Sequence, residues 1–222
     1  EGRVTIPAAI AQDAGIRVER AGPARIRDVV RLTGTTAFDA NRYAAVKARF
    51  PGIVRSVNVQ QGERVRRGQT LAVVEGNDSM RAYPITAPLD GVVIVRNTNV
   101  GDVAEASALF ELADSSQVWV DLRAIGTDAE KLAPGQAVRI RSATGTSTVE
   151  AKINRLLPVA GVGQSVIARV NVPNPQGRWR PGMTVSAEVT VDSREVPLTV
   201  KEMGLQRFRD FWFDLDLFHM SV

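Results

Sequence analysis

Hydrophobic and polar positions repeat along the stretch Ala48–Glu111. Gly52 and Gly91 each open a run rich in β-branched residues, and a second glycine, Gly62 or Gly101, follows after ten residues. β-Branched residues suit the pleated surface of a sheet, and glycine suits turns that need a positive φ. Neither half carries enough apolar residues to close a core alone. The repeat therefore predicts two related small sheets that pack on each other.

The pattern before the repeat predicts one short helix and two strands. Residues 6–15 are typical of a helix that starts near a proline and stops at a glycine. Strands are predicted at residues 16–19 and 25–32, and Gly34 is predicted to end the second of them. Residues 43–46 then predict the first strand of the repeat region.

The pattern after the repeat predicts a small antiparallel barrel of short strands with a single helix. The Pro-Gly pairs that begin at Pro134 and Pro181 fit the central positions of type II turns, and a strand is predicted after each pair. The other predicted elements are strands at residues 118–122, 149–156 and 165–172, a helical turn or two at 128–132, and a new strand that begins at 196.

The composition is that of a folded protein, since 44% of the 222 residues are hydrophobic and 23% are charged. No apolar run approaches the ~20 residues that a membrane-spanning helix needs. The chain has no cysteine, which excludes disulfides and thiolate zinc sites. It opens at Glu1 without an apolar leader, and either a processed export signal or a trimmed sequence would explain that opening.

The basic pI near 9.9 does not indicate a nucleic-acid binder. The net charge of +4 is scattered: residues 1–50 carry +4, 51–114 carry −2, 115–192 carry +3 and 193–222 carry −1. The only cluster, Arg64, Arg66 and Arg67, lies at a predicted turn without nearby aromatic residues. Nucleic-acid binders usually combine such charge with aromatic stacking platforms, so no nucleic-acid partner is predicted.

No enzyme signature is present. The one histidine, His219, lies close to the end of the sequence, and the Gly161 to Gly163 stretch lacks the third glycine and the helix of a dinucleotide site. No serine nucleophile motif, phosphate loop or zinc-protease motif occurs. The methionines share no spacing that would hold Cu(I); they are Met80, Met183, Met203 and Met220. The sequence singles out no catalytic, cofactor-binding or metal-ligating residue.

The repeat resembles the lipoyl/biotinyl-type domain, a flattened β-sandwich of two related halves, and the run at residues 87–93 is similar to the signature of that family's second half. In carriers of that family, the hairpin that joins the halves presents a lysine to the cofactor. Here the join at residues 75–85 has no lysine, and the nearest ones are Lys47 and Lys131. The resemblance therefore implies the fold without a cofactor or its attachment chemistry.

Over residues 5–210 the chain resembles the periplasmic adaptor subunits (membrane fusion proteins) of RND-type efflux pumps, most closely their heavy-metal branch. The similar segments are residues 14–18, 62–69, 109–114, 117–120, 180–183 and 202–210. The resemblance implies a non-enzymatic protein of the periplasm, associated with the inner membrane through its partners. It implies that the chain couples an inner-membrane RND transporter to the export path for heavy-metal cations, with an outer-membrane channel as a possible second partner.

Two departures from that family alter the expectation. The family inserts a long α-helical hairpin between the lipoyl halves to meet the outer-membrane channel, whereas about ten residues without a heptad pattern separate the halves here. The family's membrane-proximal module also continues beyond Phe211, which implies a truncated or frame-shifted end. Residues 213–217 are predicted to supply one strand to a short, unstable sheet that self-associates through its open edge.

The predicted fold is mainly β, with a lipoyl-like sandwich, a small barrel, an incomplete membrane-proximal module and one or two short helices. The expected division is an N-terminal segment at 1–13, the membrane-proximal module at 14–42 and 193–222, the sandwich at 43–114 and the barrel at 115–192. Two other functions stay open: a biotin or lipoate carrier-type protein that has lost its lysine, and a generic β-rich ligand-binding module.

Overall fold

The computed structural model of the chain describes residues 7–13, 22–157, 165–199, 205–208 and 211–214. Within these residues the α-helices are α1 (Ala8–Asp13) and α2 (Thr127–Glu130). The strands up to residue 113 are β1 (Gly22–Phe38), β2 (Tyr43–Lys47), β3 (Gly52–Val57), β4 (Arg64–Val65), β5 (Thr70–Gly76), β6 (Ala82–Thr86), β7 (Gly91–Arg96), β8 (Val103–Ala104) and β9 (Ala108–Ala113). The later strands are β10 (Gln117–Ala124), β11 (Ala137–Ser142), β12 (Thr148–Leu156), β13 (Val166–Pro173), β14 (Thr184–Thr199), β15 (Leu205–Phe208) and β16 (Phe211–Asp214). The mainly β fold is thus confirmed.

The chain divides into two compact units, and each boundary falls inside a long strand. One unit joins the chain up to Asp28 with the chain from Asp192 onward, and the other comprises Val29–Val191. The first unit contains an ion pair between Arg25 and Glu195 at 2.7 Å, so it links segments from both ends of the chain. A module built from two separated segments is the arrangement that the sequence predicts for its ends, although the exact domain limits stay a prediction.

The repeat region folds into two four-stranded antiparallel sheets, which are called the sandwich here. One sheet has the order β6-β5-β3-β8 and the other the order β2-β9-β7-β4. These orders are equivalent when each strand of one half is matched to its counterpart in the other half. The short strands β4 and β8 are exchanged: β4 pairs with β7 and β8 pairs with β3, so that each completes its sheet on a strand of the opposite half.

Backbone hydrogen bonds join the two halves in the same way at both crossings. The Gly101 N–H donates to the Val54 carbonyl at 2.8 Å, and the Gly62 N–H donates to the Val93 carbonyl at 2.8 Å. Both glycines need the left-handed region, with φ of 94° and 87°, which glycine enters at no steric cost. Val54 and Val93 are fully buried in one shared core. The prediction that the two halves pack on each other is confirmed.

The barrel is a closed sheet of six antiparallel strands in the order β1-β10-β13-β12-β11-β14. Inward positions alternate with exposed ones along β11, because successive side chains of a strand point to opposite faces. The two predicted Pro-Gly turns are present, with positive φ of 90° at Gly135 and 88° at Gly182, and a strand follows each of them. The barrel closes where the Thr36 N–H donates to the Met183 carbonyl at 2.9 Å.

Two strands run further than the sequence indicates. Gly34 does not end a strand but lies inside β1, where an added Cβ would sit 2.2 Å from the Asp121 carbonyl oxygen. Residues 33–38 therefore pair with β10 in the barrel, although the sequence assigned residues 14–42 to the membrane-proximal module. Likewise β14 continues without interruption through residue 193, where the sequence placed a boundary. Gly34 can lie inside β1 because the close approach of the Asp121 carbonyl requires a residue without a Cβ. The limits of the domains stay a prediction.

Other expectations about the ends fall partly outside the described residues. The predicted strand at 16–19 lies outside them, and so do residues 215–217 of the strand predicted at 213–217. What the structure describes in that region is a hairpin of β15 and β16, in which Phe208 pairs with Phe211. The proposed instability and self-association of this module stay predictions.

Candidate protein-interaction surfaces

The turn between β5 and β6, residues 77–81, stands where a carrier would present its lysine. It is closed by hydrogen bonds from the Gly76 N–H to the Arg81 carbonyl at 3.0 Å and from the Met80 N–H to the Gly76 carbonyl at 2.9 Å. Every side chain of the turn is exposed, and Met80 has a positive φ of 52°. The turn therefore holds neither an attachment amine nor an inserted helical hairpin.

The same end of the sandwich exposes a large aromatic ring. Phe50 is 58% exposed, and its ring meets the edge of the Tyr83 ring at a centroid distance of 5.9 Å. The Tyr83 hydroxyl donates to the Phe50 carbonyl, which fixes the backbone that carries the ring. The Arg49 guanidinium lies over the Phe50 ring, 5.7 Å from its centroid. This arrangement holds an apolar surface in contact with solvent.

A polar network connects the sandwich to the barrel. Asp39 is 4% exposed and its carboxylate accepts hydrogen bonds from the Asn41 N–H and from the Gln117 side-chain amide, each at 2.9 Å. Nearby, Arg42 pairs with Asp114 at 2.6 Å. A buried carboxylate with these partners is satisfied, and the short connection between the modules is held in one geometry.

The ionisation of Asp114 depends on that network. Partial burial opposes the charged form of the Asp114 carboxyl. This effect is outweighed by hydrogen bonds that the carboxylate accepts from the backbone N–H and the hydroxyl of Ser116 and from the Arg42 guanidinium. The pKa of Asp114 is therefore below its ordinary value. On the barrel side, the buried Asn174 donates to the Ser115 carbonyl at 3.0 Å, which ties the β13–β14 connection to the same junction.

The junction leaves an open groove between the two modules, with a volume of about 950 Å³. One wall is the sandwich edge formed by β4 and β7, and the other is the barrel connection at residues 174–177. We call this feature the junction groove. Its lining residues are Arg64, Val65, Arg66, Gln69, Asp90, Gly91, Val92, Asp114, Ser115, Ser116, Asn174, Pro175, Gln176 and Gly177.

The outer face of the barrel carries paired charges. Arg169 binds both carboxylate oxygens of Asp121, at 2.7 and 2.8 Å, and its guanidinium lies 3.9 Å above the Trp119 ring. The hydrogen bonds that Arg169 donates to the Asp121 carboxylate raise the pKa of Arg169 above its usual value, although partial burial acts in the opposite direction. This two-point ion pair stacked on an indole ties β10 to β13, which supports a structural role for it.

The basic cluster seen in the sequence is separated by the fold. Arg67 turns back onto the chain, where its Nε donates to the Pro88 carbonyl at 2.9 Å, while Arg64 and Arg66 line the junction groove. The sequence identified these residues but gave them no role. A comparison of the two repeat halves would have distinguished them, because the positions 39 residues later are Val103 and Glu105.

The described residues contain neither a metal-binding cluster nor a membrane-spanning helix. Among the residues that the structure describes, no group of three or more His, Cys, Asp or Glu side chains could hold a metal ion. His219 lies outside that part of the chain. In the same described segments, no helix is long and apolar enough to cross a bilayer.

Comparisons with known proteins match both modules in chain order. Residues 42–113 match the family model described as the barrel-sandwich hybrid domain of RND membrane fusion proteins, and residues 117–193 match the CusB-like β-barrel domain. The cobalt-zinc-cadmium resistance protein CzcB of Cupriavidus metallidurans is 23% identical to the chain. That alignment covers 93% of the chain and 54% of CzcB, so the chain spans about half the length of this relative.

Solved structures share the fold. ZneB from Cupriavidus metallidurans superposes with a TM-score of 0.62 and 16% identity, over 77% of this chain and 99% of ZneB. A MacA-MexA chimera that contains the α-hairpin domain of Pseudomonas aeruginosa MexA gives a TM-score of 0.67 and 18% identity, over 80% of this chain and 83% of the chimera. The two family models together match more than half of the chain, which shows that the chain belongs to the membrane fusion proteins of RND-type efflux pumps.

Proposed function

We propose that the chain is a non-enzymatic adaptor of the periplasm that couples an inner-membrane RND transporter to the export path for heavy-metal cations. The observation that carries this proposal is the match of both modules, in order and adjacent, to membrane fusion protein domains. The heavy-metal assignment rests on the similarity to the resistance protein CzcB.

The structure of the junction supports an adaptor. A protein that couples two others must hold its binding surfaces in a defined geometry, and the Asp39 and Arg42 contacts brace the sandwich against the barrel. The surfaces described above are exposed and lie on rigid strands and short turns, which suits recognition of other proteins. The transporter is the proposed partner. An outer-membrane channel is left out of the proposal, because residues 77–81 form a short turn in place of a hairpin.

The proposal is tested by capture and by metal tolerance in the source organism. The chain, tagged at its native locus, should co-purify with an RND transporter, and deletion of its gene should lower growth in cobalt, zinc or cadmium. Complementation with the Asp78→Ala variant, which alters an exposed turn residue, should restore tolerance and serves as the matched control. Unchanged tolerance together with absence of any RND transporter from the purified complex would refute the proposed function.

The carrier alternative has a direct readout. An attached biotin or lipoate would add its mass to the intact chain, so the mass of the purified protein should equal that of its amino-acid sequence. A mass increase equal to that of either cofactor would support the carrier function, although the turn lacks a lysine.

A further inference from the structure

The junction groove carries two arginine side chains without partners. Arg64 and Arg66 are both exposed and both line the groove, and within the described residues neither side chain takes part in a hydrogen bond or ion pair. They lie in and directly after β4, two positions apart, with the buried Val65 between them. Alternate residues of an extended chain face the same side, about 7 Å apart, so the two guanidinium groups present neighbouring positive charges.

The acidic groups of the groove are already engaged. The Asp114 carboxylate forms its ion pair with Arg42 at 2.6 Å, and the Asp90 carboxylate accepts the backbone N–H of Arg67 at 2.8 Å. The Arg42 guanidinium offsets the charge of Asp114, whereas the neutral N–H of Arg67 does not offset that of Asp90. Two arginines without an ion pair therefore stand against one uncompensated carboxylate, and the groove keeps a net positive charge. A concave site with an excess of one sign of charge concentrates ligands of the opposite sign.

The repeat provides an internal comparison for this pair. Val103 in β8 is the counterpart of Arg64 in β4, because β8 pairs with β3 as β4 pairs with β7. The counterpart of Arg66 is Glu105. The same backbone thus accepts valine and glutamate at these positions, so folding does not require the arginines. The arginines occupy the half whose edge forms a wall of the groove.

We propose that the junction groove binds an extended acidic segment of a partner protein. Arg64 and Arg66 each pair with one of two acidic residues that lie two positions apart in that segment. Arginine holds a carboxylate in a two-point geometry, and the spacing on β4 matches alternate side chains of a bound extended segment. A flat bilayer does not enter a groove between two modules. The inference rests on the proposed adaptor function, for which it names the chemistry of a contact with the transporter.

The test uses the isotope-labelled full chain and a short synthetic peptide of alternating Glu and Ser residues. Titration should shift backbone amide resonances along the groove, such as those of Gly91 and Gly177, while a Lys-Ser peptide of equal length should not. The double variant Arg64→Gln and Arg66→Gln should bind the acidic peptide about tenfold more weakly, which is what two partly exposed ion pairs contribute. Unchanged affinity of that variant would overturn the proposal.

A second variant separates the groove from general charge attraction. Val103→Arg with Glu105→Arg places the same two arginines on the equivalent strand of the other half, away from the groove lining. In the Arg64→Gln and Arg66→Gln background, these arginines should not restore peptide affinity. Restored affinity, or resonance shifts caused equally by inorganic phosphate or by phosphatidylglycerol vesicles, would show that the groove has no role of its own.

Transporter capture keeps this inference distinct from the proposed function. If the wild-type chain captures the RND transporter and the Arg64→Gln, Arg66→Gln variant captures it equally well, the groove proposal fails and the adaptor function stands. If the acidic peptide binds the groove and no transporter is captured by the wild type, the groove binds acidic segments and the adaptor function fails. The expected result is capture by the wild type and clearly weaker capture by the variant.

Discussion

Thr98 offers a direct test of the repeat architecture. Its side chain is 1% exposed, and its hydroxyl oxygen has no hydrogen-bond partner among the described residues. The equivalent position in the first half is Val59, which is 2% exposed in the same sandwich core. One half of the repeat therefore places an apolar side chain where the other places an unpaired hydroxyl. Thr98→Val should stabilise the sandwich.

The expected magnitude follows from the cost of that hydroxyl. An unpaired buried polar group costs about 1–3 kcal/mol, and valine has almost the same shape as threonine without the oxygen. We expect Thr98→Val to raise the free energy of unfolding of the sandwich by about 1–2 kcal/mol. The reciprocal variant Val59→Thr, which buries a hydroxyl at the matching site, should lower it by a similar amount.

Amide hydrogen exchange is the suitable assay, because Trp119 and Trp179 lie in the barrel and tryptophan fluorescence would report on that module. The Val54 and Val93 amides form backbone hydrogen bonds between the two halves of the sandwich. Their exchange should become roughly 5–30 times slower in Thr98→Val, which corresponds to the expected gain in stability. Equal or faster exchange in Thr98→Val would show that the hydroxyl is satisfied and that the reasoning is wrong.

Three further predictions use other contacts of the sandwich and its junction. Val54→Asp should unfold the sandwich, since an unpaired buried carboxylate costs about 3 kcal/mol or more. Asp78→Ala on the exposed turn is the control and should change the free energy of unfolding by less than ~0.5 kcal/mol. Equal effects of the two variants in urea denaturation would contradict the burial of Val54. Met80→Gly should stabilise the turn by ~0.5–1 kcal/mol by relieving its positive φ, measured as slower exchange of the Gly76 amide. The pKa of Asp114 is lower in the folded chain than in the unfolded chain, so ionised Asp114 stabilises the fold above the unfolded pKa, and this stabilisation is lost as the pH falls through the folded pKa. Arg42→Gln should weaken this loss of stability in acid. An unchanged profile of stability against pH in that variant would refute the coupling.

The sandwich was predictable from sequence because its signals are local. The paired glycines recur at fixed spacing, and each marks a turn whose positive φ the structure confirms at Gly62 and Gly101. The Pro-Gly turns of the barrel were predictable for the same reason. Gly34 was misread because its reason is not local: it packs against the Asp121 carbonyl on a strand far along the chain.

The junction could not be derived from the sequence. The contact between Asp39 and Gln117 joins residues 78 positions apart, and no periodicity or motif marks either side chain. Asn174 is likewise an ordinary polar residue in a connection until the fold brings it against Ser115. The basic cluster was visible, but its division into the back-folded Arg67 and the groove-lining arginines depends on the placement of the barrel wall.

The exchange of β4 and β8 between the sheets has a consequence for how the sandwich is made. The sheet that contains β8 is incomplete until the chain has been synthesised as far as Ala104, and the sheet that contains β9 until Ala113. The first half should therefore have no independent folded state. Once both halves are present, the pairing of β4 with β7 and of β8 with β3 holds them together, so their association does not depend on the turn at residues 77–81. Cleavage of the backbone there should leave the two pieces bound to each other. A sandwich of this kind can gain or lose an insertion at that point during evolution and still assemble.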